Sequence, residues 1–137
     1  MRRIVVDASV VLAGLFKDGT VRDILLNYKA AEFVAPRYLE SEVERHLSEV
    51  VLRTRKPEAT VRVMLEDLLA AIDLLPPEVY SGSMDRAKSV AGRAGCRGDE
   101  DYIGLALALD SPVWTLDSDF GRALGLRTLR TDEIEHG

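Results

Sequence analysis

The chain has 137 residues, the length of one domain at about 150 residues per domain and enough to bury its own hydrophobic core. Apolar residues make up 47% and charged residues 30%, which excludes disordered, collagen-like and coiled-coil classes. With 23 acids against 18 lysines and arginines the formal net charge is −5, which excludes a surface that coats nucleic acid wholesale while permitting a local basic strip beside an acidic site.

Cys96 has no partner for an internal disulfide and none at zinc-ligand spacing, which argues for a reducing compartment and against a thiolate metal site. The opening MRRIVVDASVVLAGLF places two arginines before an apolar run, as a signal peptide does, but Asp7 stands inside that run and no small-residue cleavage site follows. No other window reaches the roughly 18 uninterrupted apolar residues of a membrane span. The expectation is a soluble, cytoplasmic protein with no membrane partner.

In chain order, Ile4 to Val6 reads as a β-branched strand, and Ala8 to Phe16 as a compact apolar helix broken by Lys17-Asp18-Gly19. Thr20 caps a helix to about Ala30, and Glu32 to Ala35 is a second strand stopped by Pro36. From Arg37 to about Arg55, Leu39, Val43, Leu47, Val50 and Val51 recur at helical spacing until Pro57 ends the run. A helix from about Glu58 to Ala71, a strand Ile72 to Leu75 closed by Pro76-Pro77, and a weaker helix from Met84 to Ala94 follow, then a turn from Gly95 to Gly98. Asp99 to Asp110 is apolar nearly all round, the mark of a buried helix. Pro112 to Leu116 is the fourth strand, Asp119 to Gly125 a short helix, and Arg127 to Leu129 a fifth strand. Short apolar strands alternating with helices imply a three-layer α/β/α sandwich around a parallel sheet of about five strands.

Open parallel sheets bind ligands outside the carboxyl ends of their strands, which singles out the acids there. Asp7 ends the first strand, Asp117 and Asp119 follow the fourth, and Asp99 and Asp101 open the buried helix. If the first and fourth strands are neighbours, four or five carboxylates converge. Two unit charges 4 Å apart repel by about 4 kcal/mol at an effective dielectric of about 20, so such a cluster demands a counter-charge. Oxygen-only ligands suit Mg2+ or Mn2+.

Each acid also has an ordinary structural use. Asp99 is a good N-cap, the helix dipole favours Asp101 in the first turn, and Asp117 or Ser118 would cap the short helix after the strand. Asp7 differs, because a carboxylate between two apolar runs is half buried and costly without a partner. Asp101 shares a helical face with Leu105 and Ala108, on the buried side. On the helix from Arg37, Glu42 borders one side of the apolar stripe and Glu40 the other, and periodicity leaves both open. His46, one turn after Glu42, more commonly has a structural or exposed role than a ligating one, and His136 beside the end of the chain is uninformative.

Asp7 in IVVDASVV, Glu42 in APRYLESEVERHL, Asp101 in GDEDYIGLALAL, and Asp117 and Asp119 in PVWTLDSDFG together resemble the PIN-domain nucleases, a group that includes the toxin ribonucleases of VapBC toxin–antitoxin pairs. The resemblance runs from the first strand to a final strand and tail at Arg127 to Thr131, and its most specific piece is the block from Asp99 to Phe120. An acid followed at once by one aliphatic and four residues later by another fits Glu42 with Val43 and Leu47, and so favours it over Glu40.

The resemblance implies that Asp7, Glu42, Asp101 and Asp117 are core acids, with Asp99 and Asp119 as auxiliary ones, and that Ser9 is the hydroxyl common after the first aspartate. It implies a magnesium- or manganese-dependent endoribonuclease with sheet order 3-2-1-4-5, commonly a homodimer, and in the toxins a cognate antitoxin partner. Metal-activated water would hydrolyse the phosphodiester bond of single-stranded RNA. Arg37, Arg93, Arg97 and Arg122 lie near these motifs as candidate phosphate contacts. The loop Asp110-Ser111-Pro112 is shorter than in many of the toxins.

Three rival classes fit the residues less well. A phospho-acceptor receiver domain needs adjacent acids after the first strand and a late lysine, where this chain has Asp7-Ala8 and no lysine beyond Lys88. A haloacid-dehalogenase-type phosphatase needs a second aspartate at the position of Ser9. A non-catalytic PIN-like module binding RNA or protein would have lost the core acids, all of which are present.

Overall fold

The β-branched run at the amino end forms β1, Arg2–Val6, whose residues Ile4, Val5 and Val6 are wholly buried. In the computed structural model, which describes residues 2–95, 98–117 and 126–136, β1 is the middle strand of a five-stranded sheet ordered β3-β2-β1-β4-β5. After β1 come α1 (Ala8–Phe16), α2 (Thr20–Asn27), β2 (Ala31–Pro36), α3 (Tyr38–Arg45), α4 (Leu47–Thr54), α5 (Glu58–Ala70) and β3 (Asp73–Leu75). Two single 3-10 turns at Pro77–Val79 and Ser81–Ser83 lead to α6 (Met84–Ala94), α7 (Glu100–Leu109), β4 (Val113–Trp114), β5 (Thr128–Leu129) and α8 (Thr131–His136). All four strand pairings are parallel, so the α/β class and the strand order agree with the reading of the sequence.

Helices α1 to α5 pack on one another to form one layer, while α7 lies on β1 and β2 with α6 against it as the other. Val5 pairs with both Val34 on β2 and Val113 on β4. The chain winds from β1 out to β3, then crosses back to β4 on the other side of β1. The sheet's direction of winding therefore reverses between β1 and β4, and the crevice beyond their carboxyl ends is where such sheets hold ligands.

Helix α7 buries Tyr102, Ile103, Gly104, Leu105 and Ala106, as its all-round apolar sequence requires. Gly104 is its point of closest approach: a Cβ there would lie 2.9 Å from Met84 Sδ and 3.2 Å from Tyr80 Cδ2. Gly104→Ala should therefore destabilise the fold by about 1–2 kcal/mol despite the better helix propensity of alanine. Urea unfolding of the variant measures it, and a gain in stability would contradict the packing.

Three expectations are corrected. The run from Arg37 to Arg55 is two helices, broken at His46, where the His46 amide donates to Val43 O at 3.0 Å and ψ is 1°. The break carries no glycine or proline, and the buried Leu39, Val43, Leu47 and Val50 keep their spacing across it, so the apolar pattern hides it. The second helix stops at Asn27, short of Ala30, because Tyr28 is extended. The end of the chain is a helix, α8, whose buried Ile134 accepts a hydrogen bond at its carbonyl from Arg2 Nη2 at 3.0 Å, with Trp114 Nε1 donating to Thr131 Oγ1 at 3.2 Å. The expected helix from Asp119 to Gly125 and Cys96 lie outside the described residues. Among the described residues no helix is long and apolar enough to cross a membrane.

Candidate active site

Asp7 ends β1 at the mouth of the crevice and is only 5% exposed. Two hydroxyls hold it: Ser9 Oγ donates to Oδ2 at 2.7 Å and Thr115 Oγ1 donates to the same oxygen at 2.9 Å. Each hydroxyl also accepts a backbone amide, Ser9 from Leu116 at 3.0 Å and Thr115 from Asp117 at 3.0 Å. The first turn of α1 and the end of β4 are thereby tied to one carboxylate oxygen. Burial pushes the Asp7 carboxyl above its ordinary range; the two hydroxyls and the nearby amides of Ala8 and Ser9 oppose that shift without cancelling it.

Glu42 approaches the same place from α3. It is partly buried, and Tyr102 Oη donates to its Oε1 at 2.5 Å. Burial raises its carboxyl pKa and the charge of Asp7 adds to the rise, against the Tyr102 bond and the Arg45 guanidinium. Glu40, by contrast, is exposed and lines a different depression with Glu44, Arg62 and Glu66. The structure thus places Glu42, and not Glu40, beside Asp7.

Asp99 stands at the N-cap position of α7 but makes no capping hydrogen bond with its side chain. Its carboxyl is pushed up to about 7, first by burial and then by the charges of Asp7, Glu42, Asp117 and Glu100. Each of these principal influences raises it. Asp99 is therefore the residue at which the negative field of Asp7, Glu42 and Asp117 converges. Asp101 is placed differently: its Oδ2 accepts a 2.7 Å hydrogen bond from the buried Tyr80 hydroxyl. Ala108, expected beside it on a buried face, is exposed.

Of the remaining residues singled out by sequence, Ser9 supports Asp7. Arg37 and Arg93 are solvent-exposed at the start of α3 and the last turn of α6. Asp119, Arg97 and Arg122 lie outside the described residues. His46 is exposed and pairs with Glu49 at 3.8 Å. Three residues in contact with the acids were not singled out: Thr115, Tyr80 and Tyr102. Tyr102 carried a readable signal, since it follows Asp99 by three positions and so shares its helical face.

The donor set suits a hard divalent cation, being carboxylate oxygen throughout, and the raised Asp99 marks the mutual repulsion of these acids. Among the described residues no three His, Cys, Asp or Glu side chains stand close enough to enclose an ion unaided. That fits Mg2+ chemistry, in which one or two carboxylates hold an ion that keeps several waters and takes substrate phosphate oxygens. A cavity of about 590 Å3 between the ends of β4 and β5 and α8 is lined by Thr115, Leu116, Thr128, Leu129 and Arg130 and reaches one of these acids, Asp117.

Solved structures share this architecture. A chain of the crystal structure of VapBC2 from Rickettsia felis bound to a DNA fragment from their promoter superposes with a TM-score of 0.72 at 13% identity, covering 93% of this chain and 98% of that one. PAE2754 from Pyrobaculum aerophilum superposes with a TM-score of 0.66 at 18% identity, covering 93% and 83%. At these identities the likeness is one of fold. Among curated proteins none matches the sequence. The PIN domain family model matches residues 5–137, and the chain therefore belongs to the PIN domain family.

Proposed function

We propose that this chain is a single-domain endoribonuclease that uses Mg2+ or Mn2+ to hydrolyse single-stranded RNA. The observation that carries the reading is the buried Asp7 carboxylate, held by Ser9 and Thr115 at the reversal point between β1 and β4, with Glu42 and Asp99 near enough for its charge to raise the proton affinity of both. The fold-level likeness to a chain of VapBC2 supports reading it as the toxin of a toxin–antitoxin pair, with a cognate antitoxin as partner; the homodimer and the cytoplasmic location are part of the proposal and rest on the sequence reading.

In this reading one or two of Asp7, Asp99 and Asp117 would hold the ion, water and substrate phosphate oxygens would complete its shell, and Asp119 is a further acid. The bound ion supplies the positive charge that offsets these acids and the scissile phosphate and acidifies water beside them. Ser9 and Thr115 fix the aspect of Asp7, so the chain spends no reorganisation on it during the reaction. Glu42, whose burial raises its proton affinity, is placed to take the proton of the attacking water. Asp101 acts through Tyr80, as a positioning residue on the same helix as Asp99. Arg37 and Arg93 are the described cations suited to meet RNA phosphates, with Arg97 and Arg122 as further ones.

Labelled single-stranded RNA, incubated with the protein in Mn2+ or in EDTA, tests the proposal, with single-stranded DNA as the comparison. Cleavage should require the metal, fall at least about a hundredfold in Asp7→Asn and Asp117→Asn, and stay within a few-fold in His46→Ala. Cleavage that persists in EDTA, or that survives Asp7→Asn but not His46→Ala, would show the mechanism to be wrong.

A further inference from the structure

Two of the acid-bearing elements, α3 and α7, come from distant parts of the chain and are joined by one hydrogen bond between residues 60 positions apart, from the Tyr102 hydroxyl to Glu42 Oε1. We propose that Tyr102 is a positioning residue for the proposed hydrolysis, holding Glu42 toward Asp99 and Asp7 through its hydroxyl. The inference rests on the nuclease reading.

Tyr102 is wholly buried, so its ring cannot swing away without opening the core around α7. Burial and the Glu42 carboxylate both raise its hydroxyl pKa, so the oxygen keeps its proton and serves as a donor. With Oε1 engaged, Oε2 is the Glu42 oxygen left for water. Behind this pair stands a second support: the Tyr38 ring lies 6.2 Å from the Tyr102 ring at 60°, and Arg45 Nη2 donates to Tyr38 Oη at 2.7 Å with its guanidinium 5.6 Å from the ring centroid. Arg45 is the last residue of α3, one turn beyond Glu42. The ring stack therefore braces the helix that carries Glu42 against the helix that follows Asp99.

A hydroxyl that only fills space would be indifferent to what stands at position 42, whereas a positioning hydroxyl acts through Glu42 alone. The test is a cycle of Tyr102→Phe, Glu42→Gln and the double variant, with Tyr28→Phe, at the end of α2, as a control that leaves the Tyr102–Glu42 bond in place. Tyr102→Phe should lower kcat on single-stranded RNA about tenfold with KM within about twofold, the size of effect expected of an outer support. In the Glu42→Gln background it should change kcat by less than about twofold, and Tyr28→Phe should stay near wild type.

NMR of the wild-type protein supplies a readout independent of activity: a slowly exchanging tyrosine hydroxyl proton, absent in both Tyr102→Phe and Glu42→Ala. Equal losses of kcat in both backgrounds, or no such proton in wild type, overturn the positioning role. If wild type cleaves and Glu42→Gln does not, while Tyr102→Phe matches wild type, this inference alone falls. A wild type that cleaves no RNA brings down the proposed function, and the positioning role with it.

Discussion

Asp99→Asn should abolish RNA cleavage, lowering kcat on the order of 10³-fold, while Asp101→Asn should lower it about tenfold. The two residues are separated by one position and share a chemistry, so the contrast isolates placement. Asp99 makes no capping bond, and its carboxyl feels Asp7, Glu42 and Asp117 together. Asp101 has an oxygen engaged by Tyr80 at 2.7 Å. Asparagine at 101 retains a side-chain oxygen that can accept the Tyr80 hydroxyl, so the helix stays where it was and the loss is small. Asparagine at 99 removes a carboxyl whose proton affinity Asp7, Glu42 and Asp117 raise, and with it an anionic oxygen that a cation would bind. Single-turnover cleavage of labelled RNA at saturating Mn2+ measures both. Equal losses would show that Asp101 belongs with the core acids after all, and a larger loss at Asp101 would reverse the assignment.

The sequence leaves the relative placement of Asp99 and Asp101 open for a specific physical reason. Spacing places two residues on a helix relative to each other, but the rotation of that helix against the sheet is set by packing. Here it depends on Gly104, which lets Tyr80 and Met84 press against α7. Family resemblance pointed to Asp101 as a core acid, and N-cap preference offered Asp99 an ordinary explanation that its side-chain geometry does not bear out. Between Glu42 and Glu40 the resemblance supplies the helix phase that periodicity lacks, and Glu40 lies on a different surface, in a depression with Glu44 and Arg62. The strands were legible because short β-branched runs ended by proline or by acids have few alternatives. Helix α8 was not, since Thr131–His136 is too short to show a helical period and docks through Ile134 alone among its apolar side chains. Hydroxyl partners were the least legible part. Thr115 and Tyr102 act on acids 108 and 60 residues away, and a hydrogen bond across such distances leaves no pattern in sequence.

Without metal, the fold should lose stability as pH rises from about 4 to about 7, and Asp99→Asn should remove much of that loss. The sign follows from proton linkage. Folding raises the Asp99 carboxyl from an ordinary value of 3.8 to about 7, so between those values the folded protein binds a proton that the unfolded chain does not. The favourable contribution is complete below the unfolded value and disappears as pH rises through the folded one. Asp7 and Glu42 are raised as well, so they act in the same direction. Taken at full value the Asp99 shift would be worth about 4 kcal/mol at 1.36 kcal/mol per tenfold change, but the residue is partly exposed and solvent screening reduces this to about 1 kcal/mol. In EDTA at pH 8, Asp99→Asn should therefore be more stable than wild type by about that amount, although it cleaves no RNA. Mn2+ should invert the order: 10 mM metal at a dissociation constant of about 1 mM adds roughly 1.4 kcal/mol to wild type by mass action and little to the variant. Urea unfolding of both proteins at pH 5 and pH 8, with EDTA and with Mn2+, reads all four corners. A wild type whose stability rises from pH 5 to pH 8 in EDTA, or an Asp99→Asn protein stabilised by Mn2+ as much as wild type, would mean that Asp99 does not stand at the centre of the charge cluster.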